Sequence, residues 1–178
     1  MRLQVLALHA EDRSPSQRYR VEAFLPFLRA QGVEVDYASA LTRAEADVFY
    51  GRGRLREKAG VALAALARRA RSVAPLVGPR PDVVLVQREA FFLGGAWAER
   101  LSSWRAPVVF DFDDAIWLRT ISEANRRFAF LKNVEKVPAI ARLARTVVAG
   151  NEHLAAWARR HSGDVVVIPT CEIGRAHV

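Results

Sequence analysis

Short apolar runs alternate with longer segments of helical periodicity along most of the chain. Leu3–Leu8 reads as a strand, and the polar stretch after it ends near Ser16, where an amphipathic helix begins with Val21, Phe24, Leu25 and Leu28 on one face. Gly32 closes that helix, and Val33–Tyr37 forms a second short strand. From Leu55 to Val73 the apolar positions Leu55, Ala59, Leu63, Leu66 and Ala70 recur at helical spacing, which predicts a long helix with those residues in the core. Gly78-Pro79-Arg80-Pro81 then breaks the pattern, and Val83–Val86 is a third strand that runs into Gln87-Arg88-Glu89.

The second half repeats the theme. Pro107–Phe110 is a strand, helical segments follow over about Ile121–Leu131 and Val134–Leu143, and Thr146–Ala149 is another strand. Gly150-Asn151 turns directly into a helix that Asn151 caps, with Leu154, Ala155, Trp157 and Ala158 on its apolar side. Val165–Ile168 is the last strand, stopped by Pro169. Hydrophobic strands separated by helices predict an α/β fold with a doubly wound, mostly parallel sheet, Rossmann-like in organisation.

Sheets of this kind place their chemistry at the carboxyl ends of their strands, and there the sequence concentrates polar residues. The segment Val108–Trp117, VVFDFDDAIW, runs from a buried strand into Asp111, Asp113 and Asp114. Three aspartates in four residues repel one another, so a sheet end holds them with arginines, a metal or a proton on one of them. Ser16, Arg18 and Arg20 follow the first strand, Gln87, Arg88 and Glu89 the third, and Asn151 the fifth, so one crevice can collect them all. Asn151 either caps its helix or presents backbone N–H groups to an anion, and Arg18 and Arg20 either pair with a phosphate or face solvent. Asp111-Phe112-Asp113 fits the D-x-D pattern of metal-dependent nucleotide-sugar enzymes and, loosely, the nucleophile motif of dehalogenase-type phosphatases, which wants threonine where this chain has Ala115.

Composition narrows the classes. The chain has 178 residues, 51% of them hydrophobic, enough for one sizeable core. A single cysteine, Cys171, excludes an internal disulfide framework, no cysteine and histidine cluster has zinc spacing, and no stretch approaches the ~20 apolar residues of a membrane span. These features predict a cytoplasmic protein. The net charge of +8 is carried mainly by dispersed arginines without interleaved aromatics, which argues against a nucleic-acid partner and for peripheral contact with an anionic membrane, such as the inner face of the plasma membrane.

The last seven residues, Glu172–Val178, break the pattern, because a strand ending in Ile-Pro-Thr-Cys leads onward into another element. Back-translated as GAG ATC GGA AGA GCA CAC GTC, they match a widely used sequencing-library adapter read in frame. We therefore expect residues 1–171 to be one natural Rossmann-like domain, residues 172–178 to be foreign, and the natural chain to continue beyond Cys171.

Several segments, taken in order, resemble the amino-terminal domain of GT-B glycosyltransferases of the large retaining family four. They are Ser16, Arg18 and Arg20 opening the first helix, Leu25-Pro26 with Leu28, Gly32–Val35, VVLVQREA at Val83–Ala90, PVVFDFDDAIW at Pro107–Trp117, VVAGNEHLAAWA at Val147–Ala158 and VVVIPT at Val165–Thr170. The resemblance implies the acceptor-side half of a two-domain enzyme that moves a sugar from a nucleotide-sugar to a glycan, lipid or small-molecule acceptor. It implies no essential metal and no cofactor beyond that co-substrate, and a donor-binding domain after Pro169-Thr170, without which the fragment is inactive. Asp113 and Asp114 are then the catalytic candidates. Ser16, Arg18, Arg20, Gln87, Arg88, Glu89, Asp111 and Asn151 are the substrate-binding candidates. The loop HAEDRSPSQ lacks the glycines of many members, and Asp113 stands where many carry histidine. The alternatives are a metal-dependent phosphatase or GT-A-like transferase using Asp111 and Asp113, and a non-catalytic Rossmann-like binding domain.

Overall fold

The computed structural model describes residues 1–51, 55–74, 76–118 and 135–170. Six parallel strands, β1 (Arg2–Ala7), β2 (Glu34–Ser39), β3 (Val83–Gln87), β4 (Val108–Phe112), β5 (Thr146–Ala149) and β6 (Val165–Val167), form one sheet in the order β2-β1-β3-β4-β5-β6. The chain first steps from β1 outward to β2 and then returns past β1 to β3, so the winding reverses between β1 and β3. This is the doubly wound, Rossmann-like α/β organisation that the alternating pattern predicts.

Helices cover both faces. On one face α1 (Pro15–Arg20) and α2 (Leu25–Ala30) bury Val21 and Leu25 against Leu3, Val5 and Ala7 of β1. On the other, α4 (Leu55–Val73), α5 (Trp97–Ser103), α6 (Lys136–Leu143) and α7 (Glu152–Ala158) pack on Leu6, Val84, Val86, Phe110, Phe112, Val147 and Ala149. Strand alternation does the sorting: Phe110 and Phe112 enter this larger core, while Asp111 projects to the α1 face.

Three expectations are corrected. The helix predicted as one piece after Ser16 is α1, a short 3-10 turn (Glu22–Phe24) and α2, because Pro26 offers no N–H to a continuous helix and fits only in a first turn. Phe24, expected on the buried face, is 41% exposed. In α4 the predicted bounds hold but the predicted face does not. Leu55, Ala59, Leu63, Leu66 and Ala70 face solvent, whereas Ala65, Arg69 and Val73 are buried. The small side of the helix lets it approach the sheet closely, and Arg69 spans the gap, donating to the carbonyls of Ala7 (2.6 Å) and Ala38 (3.0 Å) at the ends of β1 and β2. Burial lowers the Arg69 guanidinium to about 10, which leaves it charged at neutral pH.

Two helices went unpredicted. α3 (Arg43–Tyr50) starts at a capping box in which the Thr42 side chain and the Glu45 backbone, and the Glu45 side chain and the Thr42 backbone, bond reciprocally. That T-x-x-E signal is present in the sequence. α5 is only seven residues long and follows Gly94-Gly95. The helix expected over 121–131 and the tail 172–178 fall outside the described residues. Among the described residues no helix is long and apolar enough to cross a membrane.

Candidate functional site

The winding reverses between β1 and β3, the point at which open α/β sheets form a crevice at the carboxyl ends of their strands, and the loop after β1 lies at that point. Gln17, buried on α1, fixes that loop: its Oε1 accepts the His9 backbone N–H (3.0 Å) and its Nε2 donates to the His9 carbonyl (3.1 Å) and to the Tyr37 hydroxyl (2.9 Å). One buried amide thus does what glycines do in other loops of this kind. It satisfies the backbone and sets the start of α1, where Pro15 occupies the first turn.

From that start Ser16 reaches across the crevice. Gln87 Nε2 donates to Ser16 Oγ (2.7 Å), and Ser16 Oγ donates to Asp113 Oδ1 (2.7 Å), so the ends of β3, α1 and β4 join in one relay. One turn further along α1, Arg20 donates from Nε to both oxygens of Asp111 (3.0 and 2.9 Å) and also from Nη2, with both side chains almost wholly buried. Its Nη1 bonds the Ile168 carbonyl (2.7 Å) and the Thr170 hydroxyl (3.2 Å), tying the end of β6 to the same point. Burial pushes the Asp111 carboxyl above its usual range, and the hydrogen bonds and charge of Arg20 pull it partly back. Beside this pair an open, largely apolar groove of about 240 Å³ runs between Tyr19, Phe24 and Leu28 on one side and Ile168 and Pro169 on the other.

The three aspartates therefore diverge. Asp111 is spent on Arg20, Asp113 on Ser16, and Asp114 pairs with Arg88 at the more exposed rim (3.0 Å). Arg88 has φ +64°, a left-handed conformation costly for a non-glycine residue, and its backbone N–H bonds the Asp111 carbonyl (2.8 Å). Glu89 meets the buried Lys136 ammonium (2.6 Å), which also donates to the Phe91 carbonyl. Below them the buried Glu99 accepts the Ala90 backbone N–H (2.8 Å), and burial raises its carboxyl. Among the described residues no three His, Cys, Asp or Glu side chains gather as a metal ion requires.

Trp117 stacks flat on Trp157 of α7 (4.1 Å between ring centres), and Phe112 meets both rings edge-on, which anchors the turn that presents Asp113 and Asp114. Gly150, at the end of β5, lets the backbone of Asp113 come close: a Cβ there would meet Asp113 Cα at 3.0 Å and Cβ at 3.3 Å. Gly150→Ala is therefore expected to displace Asp113 and to cost about 1–3 kcal/mol, read as a lower urea midpoint; an unchanged midpoint would mean that the turn yields freely.

Of the residues expected from the sequence, Ser16, Arg20, Gln87, Asp111 and Asp113 do meet, with Arg88, Glu89 and Asp114 at the rim. Asn151 Oδ1 accepts the Leu154 N–H (2.9 Å), so its side-chain acceptor serves the helix cap. Arg18 turns outward to Asp12 (3.4 Å) and the Tyr19 ring, away from the aspartates. His9 was missed. It lies one residue past Leu8, just beyond the end of β1, its Nδ1 is buried without a hydrogen-bond partner among the described residues, and Tyr50 lies 3.4 Å from its Nε2. Burial and the nearby Arg13 and Arg88 hold its pKa below the ordinary value, so the ring is neutral at pH 7. Its position at a strand end was the available signal. Lys136 and Gln17 carried none, since their roles depend on burial.

Scans against protein-family models and against curated proteins find no match to this chain.

Proposed function

We propose that this chain is the acceptor-side domain of a retaining, GT-B type glycosyltransferase, which transfers a sugar from a nucleotide-sugar to a glycan, lipid or small-molecule acceptor. The observation that carries the reading is Asp113, a half-buried carboxylate just beyond β4 that Ser16 bonds, with Gln87 at the end of β3 bonding Ser16, beside the reversal between β1 and β3. Crevices at such a reversal are where open α/β sheets bind ligands.

In this reading an acceptor hydroxyl enters between the His9 loop and the aspartates. Asp113 accepts its hydrogen bond and takes up its proton as the hydroxyl oxygen bonds the anomeric carbon on the same face from which the nucleoside diphosphate departs, that carbon–oxygen bond breaking, so the configuration is retained. Ser16 holds the carboxylate in position, and Gln87 keeps the Ser16 hydroxyl turned to donate toward Asp113 rather than toward substrate. The neutral imidazole of His9 orients a second hydroxyl, while Glu89, steadied by Lys136, and Asp114 with Arg88 shape the rim. The nucleotide-sugar is supplied by a donor-binding domain of the kind that the resemblance implies. A metal-dependent phosphatase or GT-A-like site ranks lower because it needs Asp111 and Asp113 to face one ion, and Asp111 gives both oxygens to Arg20.

The test is to express the natural gene in full and to supply common nucleotide-sugars with a cell-envelope extract in the presence of EDTA. Release of nucleoside diphosphate coupled to labelled product is expected. Consumption of no donor would overturn the proposal in favour of a binding domain. Magnesium-dependent phosphatase activity in the 178-residue chain, abolished by Asp111→Asn, would overturn it in favour of the metal reading.

A further inference from the structure

The correction to α4 leaves an apolar stripe with nothing over it. Leu55 is 67%, Leu63 68% and Leu66 40% exposed, and Ala59 and Ala70 lie between and beyond them on the same outward side. Leucines repeated at helical spacing on a solvent face are not accounted for by the core, which α4 serves with Ala65, Arg69 and Val73. Two further exposed apolar residues lie near the end of the helix. Leu76 is 97% exposed and Trp104 67% exposed, and Arg105, next to Trp104, donates to the carbonyls of Ser72 (2.8 Å), Val77 (3.2 Å) and Pro79 (3.1 Å), which brings both side chains to the carboxyl end of α4.

Charge identifies the partner. α4 contains Arg56, Lys58, Arg68, Arg69 and Arg71 against Glu57 alone, so five positive charges less one negative give +4, half of the +8 of the whole chain. Arg69 is buried and Arg68 pairs with Glu45 (2.8 Å), but Arg56 and Arg71 are exposed and Lys58 is half-buried. At roughly 100° per residue, Arg56 and Lys58 fall on opposite sides of the line through Leu55, Ala59, Leu63 and Leu66. A leucine stripe between basic flanks, with a tryptophan at one end, has the composition of a helix that lies in the headgroup region of a bilayer. A second copy of the chain would set Arg56, Lys58 and Arg71 of one helix against the same three cations of the other.

We propose that the outward face of α4, together with Leu76 and Trp104, binds the surface of membranes containing anionic phospholipid, with the leucines entering the headgroup boundary and Arg56, Lys58 and Arg71 meeting lipid phosphates. The helix is already formed and held to the sheet by Ala65, Arg69 and Val73, which lie beside the stripe rather than under it, so binding does not require it to fold. This inference does not depend on the transferase reading, since the binding assay needs no turnover.

The test uses the 178-residue chain with vesicles of phosphatidylcholine alone or mixed with phosphatidylglycerol. Co-sedimentation with the mixed vesicles, a blue shift of tryptophan emission that Trp104→Phe diminishes, and weakening by high salt are expected. The triple variant Leu55→Ser, Leu63→Ser, Leu66→Ser should bind at least about ten-fold more weakly, because the removed side chains carry the apolar area. Those residues are exposed, so its far-ultraviolet circular dichroism should match the parent. Failure to bind mixed vesicles, or binding undiminished in the triple variant, overturns the proposal. A concentration-dependent dimer that the same variant dissociates, without vesicle binding, would assign the stripe to a second copy instead.

Discussion

Arg20→Met is expected to destabilise the fold by about 3–5 kcal/mol, the usual consequence of removing one partner of a buried ion pair. Methionine retains the apolar stem but leaves the Asp111 carboxylate in a site where the pair is 3% and 6% exposed, and it also drops the bonds to Ile168 and Thr170. The pH dependence distinguishes this from a packing defect. Asp111 already has a folded pKa above its ordinary value, because burial outweighs the pull of Arg20, so the folded state holds that proton more tightly than the unfolded chain. The stability from such a group is present at low pH and is lost as pH rises through the folded value. Without Arg20 the folded pKa moves higher still. The deficit of the variant against the parent should be largest near about pH 7 and should shrink toward about pH 4 as Asp111 takes up its proton. Adding Asp111→Asn should recover part of the loss at neutral pH. Urea unfolding at both pH values measures all of this, and a deficit that is small or independent of pH would show that the pair is not what holds β4, α1 and the end of β6 together.

Asp113→Asn should have the opposite profile. The amide oxygen can still accept from Ser16, the turn remains anchored by Trp117 on Trp157, and stability should change little. Asparagine cannot take a proton. Under the proposed transferase reading, turnover should therefore fall by about 10²–10⁴-fold, the typical contribution of a general base, with a much smaller change in acceptor KM. A variant that turns over at near-normal rate would remove Asp113 from the chemistry and leave it an orienting role at most.

The fold class was legible because local patterns and long-range packing ask for the same thing in a parallel sheet. Buried strands must be short and apolar, so β5 lies at the predicted residues, β3, β4 and β6 within a residue or two, and α4 begins and ends as its periodicity requires. The face of α4 was not legible. Periodicity reports that a helix has an apolar side, but whether that side meets the sheet depends on how close the helix must come. Here small residues and one long arginine fit the gap better than leucines do.

The candidate site divides in the same way. Polar residues clustered after successive strands marked Ser16, Arg20, Gln87 and the aspartates, because chemistry in this architecture gathers at strand ends and the strand ends could be read. Which aspartate serves structure and which faces the crevice could not be read from D-F-D-D. Strand alternation sends Asp111 to the α1 side, and only the packing of α1 against β4 places Arg20 there to neutralise it. Gln17 and Lys136 acquire their roles from burial alone. The sequence by itself determined the order of strands and helices along the chain and the kinds of residue at each turn, since these depend on neighbours within a few positions. Tertiary structure decided the reversal between β1 and β3, the partner of each aspartate and the outward leucines of α4, because these depend on residues far apart in the chain competing for the same buried space.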